Sequence, residues 1–110
     1  MKKNENYLER IPARKDGVSW SEEDGIVTLE IENKGAMNKI LQLLIKKPKV
    51  SYIHLDEIGS FVWKVMDGEK DIIKLGEEVK IRFGDKAEPL YERLVKYFQI
   101  LESYGFSEWR

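Results

Sequence analysis

The chain has no cysteine and only one histidine. Without cysteine there is no disulfide, no thiol nucleophile and no thiolate metal ligand. The single histidine, His54, yields neither a His-based triad nor a multi-histidine metal site. No apolar run approaches the length of a bilayer span, and no hydrophobic stretch follows the lysines of MKKNENYLER, so the expectation is a cytoplasmic protein with no membrane partner. Excess charge is missing too. The 19 Lys and Arg nearly cancel the 20 Asp and Glu, and a net charge of −1 gives no overall pull toward nucleic acid or anionic lipid. Glycines with nucleotide-loop spacing, internal repeats and low-complexity tracts are also lacking.

What remains is enough apolar sequence, 42% of 110 residues, for one modest core. The organising stretch is VSYIHLDEIGSFVWKVMDG, residues 50–68. Residues 50–55 have strand character and run directly into Asp56, whose carboxylate suits an N-cap. Ile58, Phe61, Val62 and Val65 then recur at helical spacing, and Asp67-Gly68 closes the helix. Upstream, residues 1–17 read as an arm with Tyr7, Leu8 and Ile11 as docking points, ahead of a single domain over residues 18–110. Residues 18–21 suggest a first strand. Residues 26–32 alternate, with Val27, Leu29 and Ile31 on one face, which predicts an antiparallel hairpin.

The period then changes. Met37, Ile40, Leu41 and Leu44 predict a helix over 35–47, stopped by Pro48. Downstream, Asp71 caps a predicted helix over 72–83, in which Gly76 beside the apolar stripe signals a close crossing by another helix. A last helix over 87–104 carries Leu90, Leu94, Phe98 and Leu101 on one face and ends at Gly105. The order predicts an α+β, winged-helix-like domain: a three-stranded antiparallel sheet on three C-terminal helices, with an extra helix inserted between the second and third strands.

The carboxylates do not form a site. Asp56/Glu57 reads as a helix cap with a favourable first-turn charge, and Ser51, Ser60 and Ser103 have no base beside them in sequence. No enzymatic activity and no cofactor are expected. Nucleic-acid readout is disfavoured, because a reader helix over 72–83 would turn Glu77 and Glu78 toward a polyanion along with Lys74, Lys80 and Arg82. Peptide capture fits better. In a meander, residues 50–55 form an edge that must be protected or used, and a partner peptide adding a strand there is one use. Tyr52, His54, Trp63 and Tyr97 are aromatic groups available to line such a groove. Two alternatives stand: a winged-helix nucleic-acid-binding or transcription-related protein, and a homodimeric structural protein that pairs this edge with its own copy.

The order of VSW, GIVTLEIEN, LDEIGSFVWKVMDG, EKDIIKLGEEV and LVKYFQILESYGF resembles the PqqD-like family, which includes the pyrroloquinoline quinone biosynthesis chaperone and precursor-peptide recognition elements. The resemblance covers residues 18–106 and rests on Leu55-Asp56 after the third strand, Val62-Trp63 in the helix, Asp67-Gly68 after it, and Gly105-Phe106. The segment KGAMNKILQLLIKKPK departs from the short turn of small family members. The resemblance implies a non-catalytic adaptor that captures a precursor or leader peptide by strand addition and presents it to a modifying enzyme. That partner is typically a radical S-adenosylmethionine enzyme carrying its own cofactor and clusters. It also implies a peptide site at Val50, Ser51, Tyr52, Ile53, His54 and Leu55, at Phe61, Val62 and Val65, and at Leu94, Tyr97 and Leu101. Proline at Ser51 or Ile53 is expected to abolish capture by removing a ladder donor.

Overall fold

Alternating apolar residues put Val27 and Leu29 on the buried face of a strand, and the rest of the sheet is laid out around that strand. The computed structural model describes residues 7–32 and 50–110. A strand β2 (Trp20–Glu23) turns through Asp24 and Gly25 into β3 (Ile26–Glu32), and β4 (Val50–His54) pairs antiparallel with the other side of β3. The two-residue turn has φ of 54° at Asp24 and 82° at Gly25, the left-handed pair that Asp-Gly tolerates and that matches hairpin twist. The order β2-β3-β4 makes β4 a border of the sheet among the described residues. The helix predicted over 35–47 lies outside the described residues.

Three helices follow: α1 (Glu57–Val65), α2 (Ile72–Phe83) and α3 (Leu90–Tyr104), with a 3-10 turn at Gly84–Ala87 before the last. Both predicted caps form. Asp56 accepts from the Gly59 N–H at 2.7 Å and Asp71 from the Lys74 N–H at 2.8 Å. Gly76 makes the close crossing that its position implied, since a Cβ there would come within 2.6 Å of the Tyr91 ring on α3. Gly105, at φ 81°, ends α3 with its own N–H on the Glu102 carbonyl and the Phe106 N–H on that of Leu101. The core lies between sheet and helices. Val27 and Leu29 meet Val62, Trp63 and Met66, Ile72, Leu75 and Val79, and Leu90, Leu94, Phe98 and Leu101. Each such side chain contributes about 1.5–3 kcal/mol by leaving water.

A second sheet was not legible in the sequence. Within the segment read as an arm, β1 (Pro12–Arg14) pairs antiparallel with β5 (Ser107–Trp109). The carbonyls of Arg10 and Leu8 accept the Ile72 and Ile73 N–H groups at 3.1 and 3.2 Å, completing the first turn of α2 beside its Asp71 cap. Tyr7 and Leu8 also pack on the core, and Tyr7 meets Trp109 edge-on.

Candidate functional site: the border strand and the start of α1

An antiparallel ladder has a parity, and here it can be read. The Leu55 N–H donates to the Val27 carbonyl at 2.9 Å, so Leu55, Ile53 and Ser51 turn their backbone groups toward β3. The Glu30 N–H donates to the Ser19 carbonyl at 3.0 Å, so the alternate residues of β3 serve β2. The backbone N–H and C=O of Tyr52 and His54 therefore point away from the sheet, where β4 has no second strand neighbour among the described residues. The expectation for proline is redirected by this parity. Proline at Ser51 or Ile53 removes a bond inside the sheet, whereas Tyr52 and His54 hold the outward donors.

Side chains follow the same alternation. Ile53 and Leu55 rest half-buried on the core, while Tyr52 is 60% exposed on the outer face and His54 shares a 2.8 Å hydrogen bond with Thr28 Oγ1. The strand then locks onto α1. Ser60 is fully buried; its Oγ accepts the Val27 N–H at 2.8 Å and donates to the Leu55 carbonyl at 3.3 Å, so the hydroxyl is inserted into the last rung of the ladder. From the other side, Tyr97 of α3 donates its hydroxyl to the Gly59 carbonyl at 2.8 Å. Burial raises the Tyr97 hydroxyl far above the ordinary tyrosine value, with the nearby Asp56 charge adding to the effect.

Between α1 and α3, immediately after the border strand, lies a cleft of about 100 Å³. Ile58, Gly59, Val62 and Leu94 give it aliphatic walls, and Asp56, Arg93 and Tyr97 stand around it. A Cβ on Gly59 would sit 3.0 Å from both Asp56 Oδ1 and Tyr97 Cε1, so the glycine keeps the cleft open.

The residues predicted as a peptide site divide accordingly. Tyr52, Ile53, His54 and Leu55 lie along or beside the border, with the backbones of Val50 and Ser51 at its start. Val62 and Leu94 are buried and form part of the cleft, as does Tyr97. Leu101 is buried in the core, and Val65 is half-buried against it. Phe61 points elsewhere, as helical geometry requires of a residue 100° round α1 from Val62. It meets Phe83 edge-on at 5.6 Å with the Arg82 guanidinium over its ring, in a separate cleft beside the Asp24-Gly25 turn. The sequence reading missed Ile100 and Tyr104, 50% and 55% exposed. They fall three and seven residues after Tyr97, a stripe beside the core stripe that periodicity alone makes visible.

Nothing in this arrangement activates a nucleophile. Among the described residues no group of three or more His, Cys, Asp or Glu side chains could hold a metal ion, and no helix is long and apolar enough to cross a membrane. What the site offers is a row of backbone donors and acceptors leading to a small aliphatic cleft. Residues 27–106 match the family model described as coenzyme PQQ synthesis protein D (PqqD). The chain belongs to the PqqD family. Neither a curated protein nor a solved structure matches it. The PqqD match begins at the second residue of β3 and ends just after α3, so it takes in β4, the α1 cap and the α1–α3 cleft. The β1–β5 ribbon lies beyond it at both ends.

Proposed function

We propose that this protein is a peptide-binding adaptor that captures the leader segment of a precursor peptide by strand addition to β4 and presents it to a modifying enzyme. The carrying observation is the outward backbone of Tyr52 and His54 at the border of a PqqD-family sheet. An extended peptide paired there satisfies its own backbone and alternates its side chains between the two faces. On the inner side, one branched aliphatic side chain of the peptide fits the cleft at Val62, Leu94 and Tyr97, and the chain continues along Ile100 and Tyr104. Such a cleft confers specificity, while the backbone rungs supply most of the affinity. The enzyme served is a radical S-adenosylmethionine enzyme or another peptide modifier, acting in the cytoplasm where precursor peptides are made.

Isothermal titration of the full chain with leader segments encoded beside its gene tests the reading. The expected result is one site with Kd near 1 μM or tighter, about −8 kcal/mol. Absence of binding by every candidate at high micromolar concentration would overturn it.

A further inference from the structure

At the other end of α1, about 13 Å away along a nine-residue helix, lies a larger and differently built cleft. It has a volume of about 400 Å³ and is walled by β1, the loop into β2, the C-terminal turn of α1 and Arg110. Most of its wall, residues 13–18, 20 and 110, lies outside the segment matched to the PqqD family. Three cations line it, Arg14, Lys15 and Arg110, against the carboxylates of Asp16 and Asp67.

Asp67 is already committed. Its Oδ1 accepts the backbone N–H groups of Glu69 and Lys70 at 2.9 and 3.0 Å, and these bonds hold its carboxyl below the usual carboxylate range. Arg14 is the opposite case. Its guanidinium lies 5.5 Å from the Trp20 ring centre and 6.0 Å from that of Trp63, within reach of cation–π attraction. Its one hydrogen bond among the described residues is a 3.5 Å contact from Nη1 to the Trp63 carbonyl. A guanidinium has five N–H donors in a rigid fork. Here the guanidinium is held near two indoles while its donors go almost unused among the described residues, in a cleft with Lys15 and with Arg110, which pairs with Glu108 at 3.4 Å. Carboxylate and phosphate both match that fork, and the Asp16 and Asp67 carboxylates in the wall disfavour the more highly charged phosphate.

We propose that this cleft is a carboxylate-binding site, with Arg14 as the bidentate anchor, Lys15 and Arg110 adding charge, and Trp20 as the flat wall at its mouth. The ligand is either a small free acid or an acidic segment of a partner protein; the two share the chemistry and differ in size. The site is independent of peptide capture on β4.

Two of the three tryptophans, Trp20 and Trp63, stand in the cleft, so tryptophan fluorescence reads its occupancy. The full chain is titrated at constant ionic strength with succinate, with the peptide acetyl-Glu-Asp-Glu-amide and with inorganic phosphate. A saturable change with either carboxylate probe is expected. Response to succinate assigns a free acid as the ligand; response to the peptide alone assigns an acidic segment. Arg14→Lys keeps the charge but loses the fork and should weaken binding about tenfold or more. The double variant Lys15→Gln/Arg110→Gln alters exposed side chains only, and should weaken it a few-fold even if Arg14→Lys disturbs the fold by circular dichroism. No saturation up to ~10 mM, phosphate binding as tightly as the carboxylates, or undiminished affinity in both variants would overturn the proposal.

Discussion

The two ends of α1 solve the same problem in different ways. At its start Asp56 accepts the Gly59 N–H, Tyr97 donates to the Gly59 carbonyl, and Ser60 bridges the Val27 N–H and the Leu55 carbonyl, all from the protein itself. At its finish, among the described residues, the Trp63 carbonyl has only a long contact from Arg14, and the Trp63 indole N–H is buried without a partner beside the edge-on Trp20 ring. A saturated junction is stiff, so what it leaves for a partner is shape and the backbone border beside it. An under-satisfied junction leaves polar capacity unused. Ligands of different chemistry follow: an extended backbone at one end, a carboxylate at the other.

The sharpest break of this comparison is proline in β4. Tyr52→Pro removes an outward N–H and should lower leader-peptide affinity at least tenfold, while the melting temperature and succinate binding stay near those of the parent. Ile53→Pro removes a rung shared with β3 and should lower the melting temperature itself. Calorimetric titration of both ligands against both variants checks the pair. Equal loss of peptide binding and of stability in Tyr52→Pro would mean that its N–H does not face outward.

Next in size is Ser60→Ala. The Val27 N–H and Leu55 carbonyl would be left unsatisfied in a buried place, at a cost of about 1–3 kcal/mol. Arg14→Lys at the other end should cost less than about 1 kcal/mol, because a 3.5 Å contact contributes little. Urea unfolding of the two variants measures the difference. A larger loss at Arg14 would reverse the view that the start of α1 is the more tightly bound end.

The sequence made some of this plain and hid the rest, for identifiable reasons. Local signals were reliable: the alternation of residues 26–32, the caps Asp56 and Asp71, the close crossing at Gly76 and the stop at Gly105 all depend on neighbours in the chain. The β1–β5 ribbon was illegible because its strands are three residues each and lie almost a hundred residues apart, so neither shows a period. Ser60 gave no sign, since a serine inside an apolar helical stripe looks like any other small residue until β3 arrives beside it. Phe61 and Val62 share one apolar stripe by their helical spacing, and the resemblance put both at the peptide site; that Phe61 packs on Phe83 and Arg82 depends on α2, which its own neighbours in the chain do not reveal. The charged cleft joins Arg14 and Arg110, which the ribbon brings together, to Trp63 at the end of α1, and neither proximity shows in the chain.

The smallest effect concerns the latch on the start of α1. Tyr97→Phe removes the hydroxyl that donates to Gly59 and should cost about 1 kcal/mol near neutral pH. The difference should then shrink with alkali. In the folded protein the Tyr97 pKa is raised above the ordinary 10.0, first by burial and then by Asp56. The folded state therefore keeps its proton after the unfolded chain has lost it, so the parent loses stability as pH rises past 10, by about 1.4 kcal/mol per unit. Phenylalanine has no proton to lose and escapes that part of the decline. Tyr7 and Tyr91, also raised by burial, lower both proteins alike and drop out of the comparison. The parent's advantage should vanish near pH 11, and unfolding curves at pH 7, 10 and 11 follow it. A gap that stays constant would show that Tyr97 ionises in the folded protein as readily as in water, and that the α1–α3 junction admits solvent.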